Sequence, residues 1–248
     1  MSSCHEYAKM KEYKDIVSGF TLATGDETKQ ARCEYLAEKY SHNLENIIVA
    51  KEKHTDVVRI ITERDLTEKA RNELDNSSGF DAMVTATPDI VLCIFTADCV
   101  PIIMYDKKTN VIGIAHSGWA GASKGIAGNT VKVMMREYGC NPHDIVCELG
   151  PYNHVCCYEV GEDVRDKFLE HFSQEECGQM FRAGKALDKY YLDLGSAVRC
   201  ALTNEGIPAE NIYDMGCCTC HNEEFPSWRR THDASNQILS YISLKSVQ

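Results

Sequence analysis

Residues 90–119 read IVLCIFTADCVPIIMYDKKTNVIGIAHSGW, the most clearly patterned segment of the chain. It contains three apolar runs of strand length, at 90–95, 100–105 and 111–115. The second and third runs are separated by five polar residues, 106–110, a loop of the size that joins antiparallel strands. The segment therefore predicts a β-hairpin preceded by another buried strand.

Strand and helix patterns alternate irregularly on both sides of this segment. Short apolar runs predict strands at 16–22, 46–50, 57–61 and 211–215. Apolar residues at helical spacing predict helices at 27–40, 123–138, 162–172, 194–205 and 234–242. Because there is no regular βαβ repeat and the strand pairs are typical of hairpins, we expect an α+β fold rather than a doubly wound sheet. We expect residues 1–248 to form a single domain.

Composition excludes several classes of protein. The net charge of −11 over 248 residues argues against binding to nucleic acid or to an anionic membrane surface. No segment has the roughly 18 consecutive apolar residues that span a bilayer, and the N-terminus does not resemble a secretory signal. Thirteen cysteines, an odd number, do not indicate a disulfide framework, so we expect Cys93, Cys147 and Cys200 to be small buried side chains. These features favour a cytoplasmic protein.

The candidate site lies at the open end of the hairpin. If residues 106–110 form its turn, Cys99 and His116 lie nearly opposite each other, with Cβ atoms roughly 5 Å apart. A thiolate and an imidazole at that separation can share a metal ion such as zinc. They can equally form a nucleophilic pair in which the imidazole removes the thiol proton. Spacing alone leaves both alternatives open.

The neighbouring residues favour a site over a chance pairing. Asp98 precedes the cysteine, and it either binds a ligand or caps the strand. Gly118 and Gly121 follow the histidine and allow close approach of the backbone to a ligand. Ser123 is predicted to begin a helix, whose free N–H groups favour an anion.

Two further cysteine clusters contain possible metal ligands. In the stretch from Cys217 to His221, which also contains Cys218 and Cys220, the residues are too close together for one tetrahedral site without a distant partner pair. We interpret these cysteines, and the pair Cys156-Cys157, as ordinary thiols.

Four motifs in order carry a resemblance to a known family. They are Thr96-Ala97-Asp98-Cys99-Val100-Pro101, His116-Ser117-Gly118-Trp119, Gly150-Pro151 with Cys157-Tyr158-Glu159-Val160, and Cys218-Thr219 ahead of Ser227-Trp228-Arg229-Arg230. Together, over about residues 19–230, they resemble the laccase-domain family, or multicopper polyphenol oxidoreductases. Its members are also assigned as purine nucleoside phosphorylases with adenosine deaminase activity.

The resemblance implies a fold, a metal site and a reaction. It implies sheets layered between helices in the order α/β/β/α. Its metal positions fall on His54, Cys99 and His116, which favours zinc over a bare Cys–His pair. It also implies an enzyme that acts on purine nucleosides, with phosphate as a second substrate in phosphorolysis. Asp98, Cys99 and His116 are the implied catalytic residues, and the implied substrate-binding residues are Trp119, Arg229 and Arg230.

Departures from the family pattern keep other functions open. Ala120 stands where the family usually has arginine, so the site lacks a guanidinium suited to phosphate. Glu52 and Thr55 replace a usual glutamine and glycine around His54. The alternatives are a copper-dependent polyphenol oxidoreductase and a member that is non-catalytic or edits peptidoglycan precursors. Copper laccases need several coppers and many histidines. The chain has only nine histidines, which weighs against the copper-dependent oxidoreductase. The pattern gives no oligomeric state.

Overall fold

The structure is a computed structural model that describes residues 3–23, 27–233 and 235–246. These residues form fourteen β-strands and eight α-helices. The strands are β1 (Ser3–His5), β2 (Ile16–Leu22), β3 (Ile47–Val49), β4 (Val58–Ile60), β5 (Ala82–Thr85), β6 (Val91–Thr96), β7 (Val100–Asp106), β8 (Val111–Ser117), β9 (Ile145–Leu149), β10 (Glu159–Gly161), β11 (Phe181–Ala183), β12 (Lys189–Leu192), β13 (Ile212–Asp214) and β14 (Ile238–Leu244). The helices are α1 (Lys29–Tyr40), α2 (Glu68–Asp75), α3 (Trp119–Ala122), α4 (Ile126–Tyr138), α5 (Glu162–Leu169), α6 (Gln174–Met180), α7 (Leu194–Asn204) and α8 (Trp228–Thr231).

Two large mixed sheets form the centre of the molecule. The first has the strand order β1-β2-β14-β6-β3, and the second has the order β13-β9-β7-β8-β5-β4. A small third sheet, β10-β12-β11, lies apart from them. Most pairs are antiparallel, but β3 with β6, β4 with β5 and β9 with β13 are parallel.

Three apolar cores separate four layers. One core lies between the two large sheets and contains Phe20 and Ile94 from the first sheet and Ile103 from the second. A second core packs the outer face of the first sheet against α1. The third packs the outer face of the second sheet against α4, α5, α6 and α7. This arrangement confirms the α+β class and the predicted α/β/β/α layering.

The predicted hairpin is present as β7 and β8, but its register differs by one residue from the prediction. Pro101 pairs with His116 and Val100 with Ser117. Continued by one step, this register places Cys99 opposite Gly118. Since residues two apart share a face of a strand, Cys99 and His116 are diagonal neighbours on one face rather than a directly opposed pair.

The candidate site lies where the chain passes from one large sheet to the other. Residues 50–57 connect β3 in the first sheet to β4 in the second, and residues 97–99 connect β6 to β7 in the same sense. The apolar run before the hairpin therefore belongs to the other sheet. These two crossings bring His54 and Cys99 to the same end of the molecule.

The predicted helix at 234–242 is wrong. Ala234 lies outside the described residues, and residues 238–244 form β14, paired with β2 on one side and β6 on the other. Every residue of this strand is buried. A strand buried on both faces has apolar residues that also fit a helical spacing, so periodicity cannot distinguish the two.

The predicted helix at 123–138 begins later than expected, as α4 at Ile126, and the separate short helix α3 precedes it. Gly125, at φ +71°, separates α3 from α4. Ser123 ends the first helix, and its backbone N–H donates to the carbonyl of Trp119 at 2.8 Å. Ser123 thus offers no free N–H group, and the predicted anion site there is wrong. Gly139 caps α4 in the left-handed conformation.

All thirteen cysteines are free thiols in the structure. Cys93 and Cys147 are fully buried, as predicted, whereas Cys200 is half-buried against the third core. Among the described residues, none of the helices has the length and apolar character needed to cross a membrane.

Candidate active site

Three side chains from separate parts of the chain meet at the end of the sheets. His54, Cys99 and His116 each place one ligand atom within 4.8 Å of the others. Cys99 Sγ lies 3.9 Å from His54 Nε2, and the two imidazole rings meet edge to face with centroids 4.9 Å apart. His116 is buried, whereas His54 is exposed. The site is therefore reached from solvent on the His54 side.

A buried carboxylate, Asp81, organises this cluster. Asp81 Oδ1 lies 2.8 Å from His116 Nδ1 and accepts the backbone N–H of His54 at 3.0 Å. Asp81 Oδ2 accepts backbone N–H groups from Lys53 and Thr55 at 3.1 and 2.7 Å, and the Thr55 hydroxyl at 2.7 Å. One carboxylate thus orients the His116 ring and shapes the loop that carries His54. With its Nδ1 bonded to Asp81, His116 directs Nε2 to the cluster.

The charges in the cluster are coupled. Burial raises the pKa of the Cys99 thiol, but the charge of His116, with hydrogen bonds from both imidazoles, outweighs burial and lowers that pKa to about 7. Burial lowers the pKa of His116, whereas the charge of Cys99 and the hydrogen bond to Asp81 raise it to about 10. The metal-free cluster therefore favours a thiolate next to an imidazolium.

The backbone around the cluster is held in unusual conformations. His54 and Asp98 both have positive φ angles, +57° and +81°, which residues other than glycine rarely adopt. Because Gly118 has no side chain, the side chains of His54 and Cys99 can occupy the space next to it. A Cβ atom there would lie 2.7 Å from His54 Cδ2 and 2.8 Å from Cys99 Sγ. Such strained and close-packed backbone is characteristic of functional sites.

Asp98 has both carboxylate oxygens engaged within the protein. Oδ1 accepts the Thr219 hydroxyl at 2.7 Å, and Oδ2 accepts the backbone N–H of Arg229 at 2.6 Å. These bonds tie the Cys99 turn to two segments more than 100 residues further along the chain. The geometry is that of a positioning residue beside the cluster.

The cluster opens into a cavity of about 750 Å³. Such a volume is typical of small-molecule sites. Its aromatic lining comes from Phe95, Trp119, Tyr158 and Trp228, and its charged lining from Lys29, Glu52, Asp98, Glu159, Asp163 and Arg229. Trp228, one of these aromatic residues, is 48% exposed.

The three predicted substrate-binding residues have different positions. Trp119 lines the cavity. Arg229 lines it too, with its guanidinium over the Tyr158 ring, 4.9 Å from the centroid, and donating to the carbonyl of Glu159 at 2.9 Å. Arg230 is not among the residues that line the cavity, and it donates to backbone carbonyls, including those of Thr219 and Phe225 at 2.6 Å each.

Sequence reasoning missed Asp81 and most of the aromatic lining. Asp81 directly precedes a short strand and has no motif around it. Tyr158 and Trp228 lie inside quoted motifs, but nothing in their spacing shows that they face the same cavity. Only the packing of the loops reveals these positions.

Comparison with known proteins agrees with this architecture. The sequence profile of the family described as multi-copper polyphenol oxidoreductase laccase matches residues 10–245. A purine nucleoside phosphorylase from Bacteroides thetaiotaomicron is 31% identical over 235 residues, which cover 90% of this chain and 83% of the relative. The adenosine deaminase RL5, from an unknown prokaryotic organism, is 32% identical over 212 residues, covering 85% and 79%.

A solved structure extends the match to three dimensions. The crystal structure of the hypothetical protein YfiH from Bacillus licheniformis superimposes with a TM-score of 0.85 at 28% identity, and the match covers 95% of each chain. The family profile, the two relatives and this structure each match most of the chain. This chain therefore belongs to the multi-copper polyphenol oxidoreductase laccase family.

Proposed function

We propose that this chain, as a single catalytic domain, is a zinc enzyme that acts on purine nucleosides, with hydrolytic deamination of adenosine as its main reaction. The observation that carries the proposal is the cluster of His54, Cys99 and His116 at the inner end of a cavity large enough for a nucleoside. The purine class is supported by relatives named purine nucleoside phosphorylase and adenosine deaminase.

The residues present fit a zinc ion. One thiol and two imidazoles are ligands that zinc prefers, and three protein ligands leave a fourth position open, as in catalytic sites. The second bond of His116, to Asp81, is the usual support of a zinc-bound histidine. Gly118 keeps the space between the ligands free of a side chain. Zinc held by these residues would lower the pKa of a water molecule and would polarise the bond under attack.

The protein's own side chains bind and orient the substrate. Phe95, Trp119, Tyr158 and Trp228 offer apolar faces on which a purine ring can stack. Asp81 keeps a proton on His116 Nδ1, so that Nε2 is the nitrogen that would lose its proton and bind metal.

Charge in the cavity favours deamination over phosphorolysis. Four of its lining residues, Glu52, Asp98, Glu159 and Asp163, carry carboxyl groups. Of the lysine and arginine side chains that line it, Arg229 already donates to the carbonyls of Cys157 and Glu159. This balance weakens binding of a phosphate dianion, whereas water needs no cationic pocket. Ala120 adds no cation at the family's arginine position.

The reaction is tested with purified protein, either zinc-loaded or stripped by a chelator. Each form is incubated with adenosine alone, with adenosine plus phosphate, and with inosine plus phosphate, and products are separated by chromatography. We expect inosine from adenosine without phosphate, loss of this activity on stripping, and recovery with zinc. Cys99→Ser should reduce it to background, whereas Cys200→Ser, at a remote half-buried thiol, should not. The absence of product from any nucleoside, or equal activity of Cys99→Ser, would overturn the proposal.

A copper oxidoreductase is the alternative that the family description supports. Two histidines and one cysteine also form the ligand set of blue-copper centres. Metal-to-protein ratios after anaerobic purification, together with an assay of phenol oxidation, separate the two. Copper at this cluster with phenol oxidation and no purine turnover would replace zinc in the proposal.

A further inference from the structure

A second group of soft metal ligands lies outside the cavity. Cys156, Cys157, Cys218 and His221 each place one ligand atom within 4.8 Å of the other three. Cys156 Sγ lies 3.7 Å from Cys218 Sγ and 3.3 Å from His221 Nδ1. We propose that these four residues bind a second zinc ion, which has a structural role and holds two loops together.

The distances in this group are close to the edges of a zinc tetrahedron. Zn–S bonds of about 2.3 Å at tetrahedral angles place two sulfurs about 3.8 Å apart, and a Zn–N bond of about 2.0 Å places sulfur and nitrogen about 3.5 Å apart. A disulfide instead requires sulfurs about 2.05 Å apart. Cys156 and Cys218 are thus at the separation of two ligands of one ion. Three cysteines and one histidine are a closed ligand set, typical of structural zinc.

The fold supplies the distant partner pair whose absence led us to predict ordinary thiols. Cys218 and His221 are separated by two residues on one turn, in which the N–H of Asn222 donates to the carbonyl of Cys218 at 3.0 Å. Cys156 and Cys157 lie on another turn, more than 60 residues earlier in the chain. The interpretation of these cysteines as ordinary thiols did not take into account that the two turns face each other, which brings the four ligand atoms together.

Backbone pairing holds the two turns side by side without any ion. Tyr152 and Cys218 form an isolated parallel bridge, and the N–H of Thr219 donates to the carbonyl of Tyr152 at 2.9 Å. The N–H of His154 points at Cys218 Sγ at 3.5 Å, a contact that orients a sulfur ligand. Cys156 and His221 are exposed, so an ion can enter from solvent.

The position of this second group suggests what the ion stabilises. Cys157 directly precedes Tyr158 and Glu159, which line the cavity. The carbonyl of Cys157 accepts from Arg229 Nη1 at 3.3 Å, and the carbonyl of Cys220 accepts from Arg230 Nη1 at 3.0 Å. An ion joining the two turns would therefore fix one wall of the cavity. The inference does not depend on the reaction proposed above.

Zinc content of the reduced full chain, prepared anaerobically with excess zinc and then desalted, tests the proposal. The double variant His54→Ala/Cys99→Ser removes the first cluster and isolates the second. We expect two zinc ions per chain in the wild type and one in the double variant. Adding His221→Ala, at an exposed position that packing does not need, should leave none. Made alone in the wild-type chain, Cys217→Ser, next to the cluster but outside it, should retain two zinc ions.

Cobalt substitution provides an independent count of the thiolate ligands. In the double variant, Co²⁺ should give a thiolate-to-metal charge-transfer band that weakens when Cys218→Ser is added. A double variant that binds no zinc and shows no such band would overturn the proposal, as would a Cys156–Cys218 disulfide found in that reduced preparation. Loss of nucleoside turnover in the double variant bears only on the proposed function, whereas the zinc that it retains bears only on the second site.

Discussion

Replacing Asp81 with asparagine tests whether one buried carboxylate sets the chemistry of the first cluster. Its two oxygens accept hydrogen bonds from His116, His54, Lys53 and Thr55. Asparagine has the same shape, but it carries an NH₂ group in place of one oxygen. In either orientation of the amide, that group faces two N–H groups that had donated to the carboxylate.

The magnitude follows from the number of donors affected. Each buried donor left without an acceptor costs about 1–3 kcal/mol, so the free energy of unfolding of metal-free protein should fall by roughly 2–6 kcal/mol. If the amide faces His116, the imidazole can accept this bond only at an unprotonated Nδ1, and its proton moves to Nε2. Since Nε2 is the proposed zinc ligand, we expect zinc affinity to fall about 10–100-fold.

The assay combines two measurements on Asp81→Asn. Urea unfolding of the metal-free protein gives the stability, and competition with a chromophoric chelator gives the zinc affinity. The matched control is Asp106→Asn, another buried carboxylate, which accepts backbone N–H groups of Lys108 and Thr109 in the hairpin turn. Both N–H groups donate to Oδ1 of Asp106, so asparagine can keep these bonds, and the control should retain zinc affinity with a smaller loss of stability. A folded Asp81→Asn protein that binds zinc as tightly as the wild type would show that Asp81 does not set the zinc affinity of this cluster.

Three further predictions concern the same cavity. Gly118→Ala should lower zinc affinity at least tenfold, measured by chelator competition, because its Cβ would lie 2.8 Å from Cys99 Sγ; Gly178→Ala, whose Cβ meets nothing within 4 Å, should leave it unchanged. In zinc-free protein, alkylation of Cys99 by iodoacetamide should increase with pH through a midpoint at about 7, because the thiolate is the nucleophile and its pKa is lowered. His116→Ala should move this midpoint upward, and an unchanged midpoint would contradict the assigned cause. Trp228→Ala should raise KM for adenosine roughly tenfold, since stacking of a base contributes about 1–3 kcal/mol. The unfolding midpoint should change little because this side chain is 48% exposed. An unchanged KM would remove Trp228 from the substrate site.

Much of the architecture could be predicted from local pattern. The hairpin, the neighbouring strands and the long helices all have clear periodicity or caps, as with Gly139 at the end of α4. Juxtaposition of Cys99 and His116 also followed from the hairpin, although the register was one residue off. The error did not separate the two side chains, because a diagonal pair on one face still meets.

Features that depend on distant chain segments could not be predicted. Asp81 accepts a hydrogen bond from the backbone of a loop about 27 residues away in sequence, and no sequence motif indicates such a bond. The second cysteine cluster needs two turns more than 60 residues apart to face each other. The strand β14 has a pattern compatible with a helix, and only its two neighbours in the sheet define its conformation.

The central position of β14 has a consequence for how the protein is made. Strands β2 and β6 flank β14 and pair through it, so the first sheet remains divided until residues 238–244 have left the ribosome. During synthesis, the edge of β6 that pairs with β14 remains unpaired while more than 130 further residues are made. Such long-range pairing slows folding and prolongs the exposure of apolar strand edges. Nascent chains that stall before β14 should therefore depend on chaperones and be rapidly degraded.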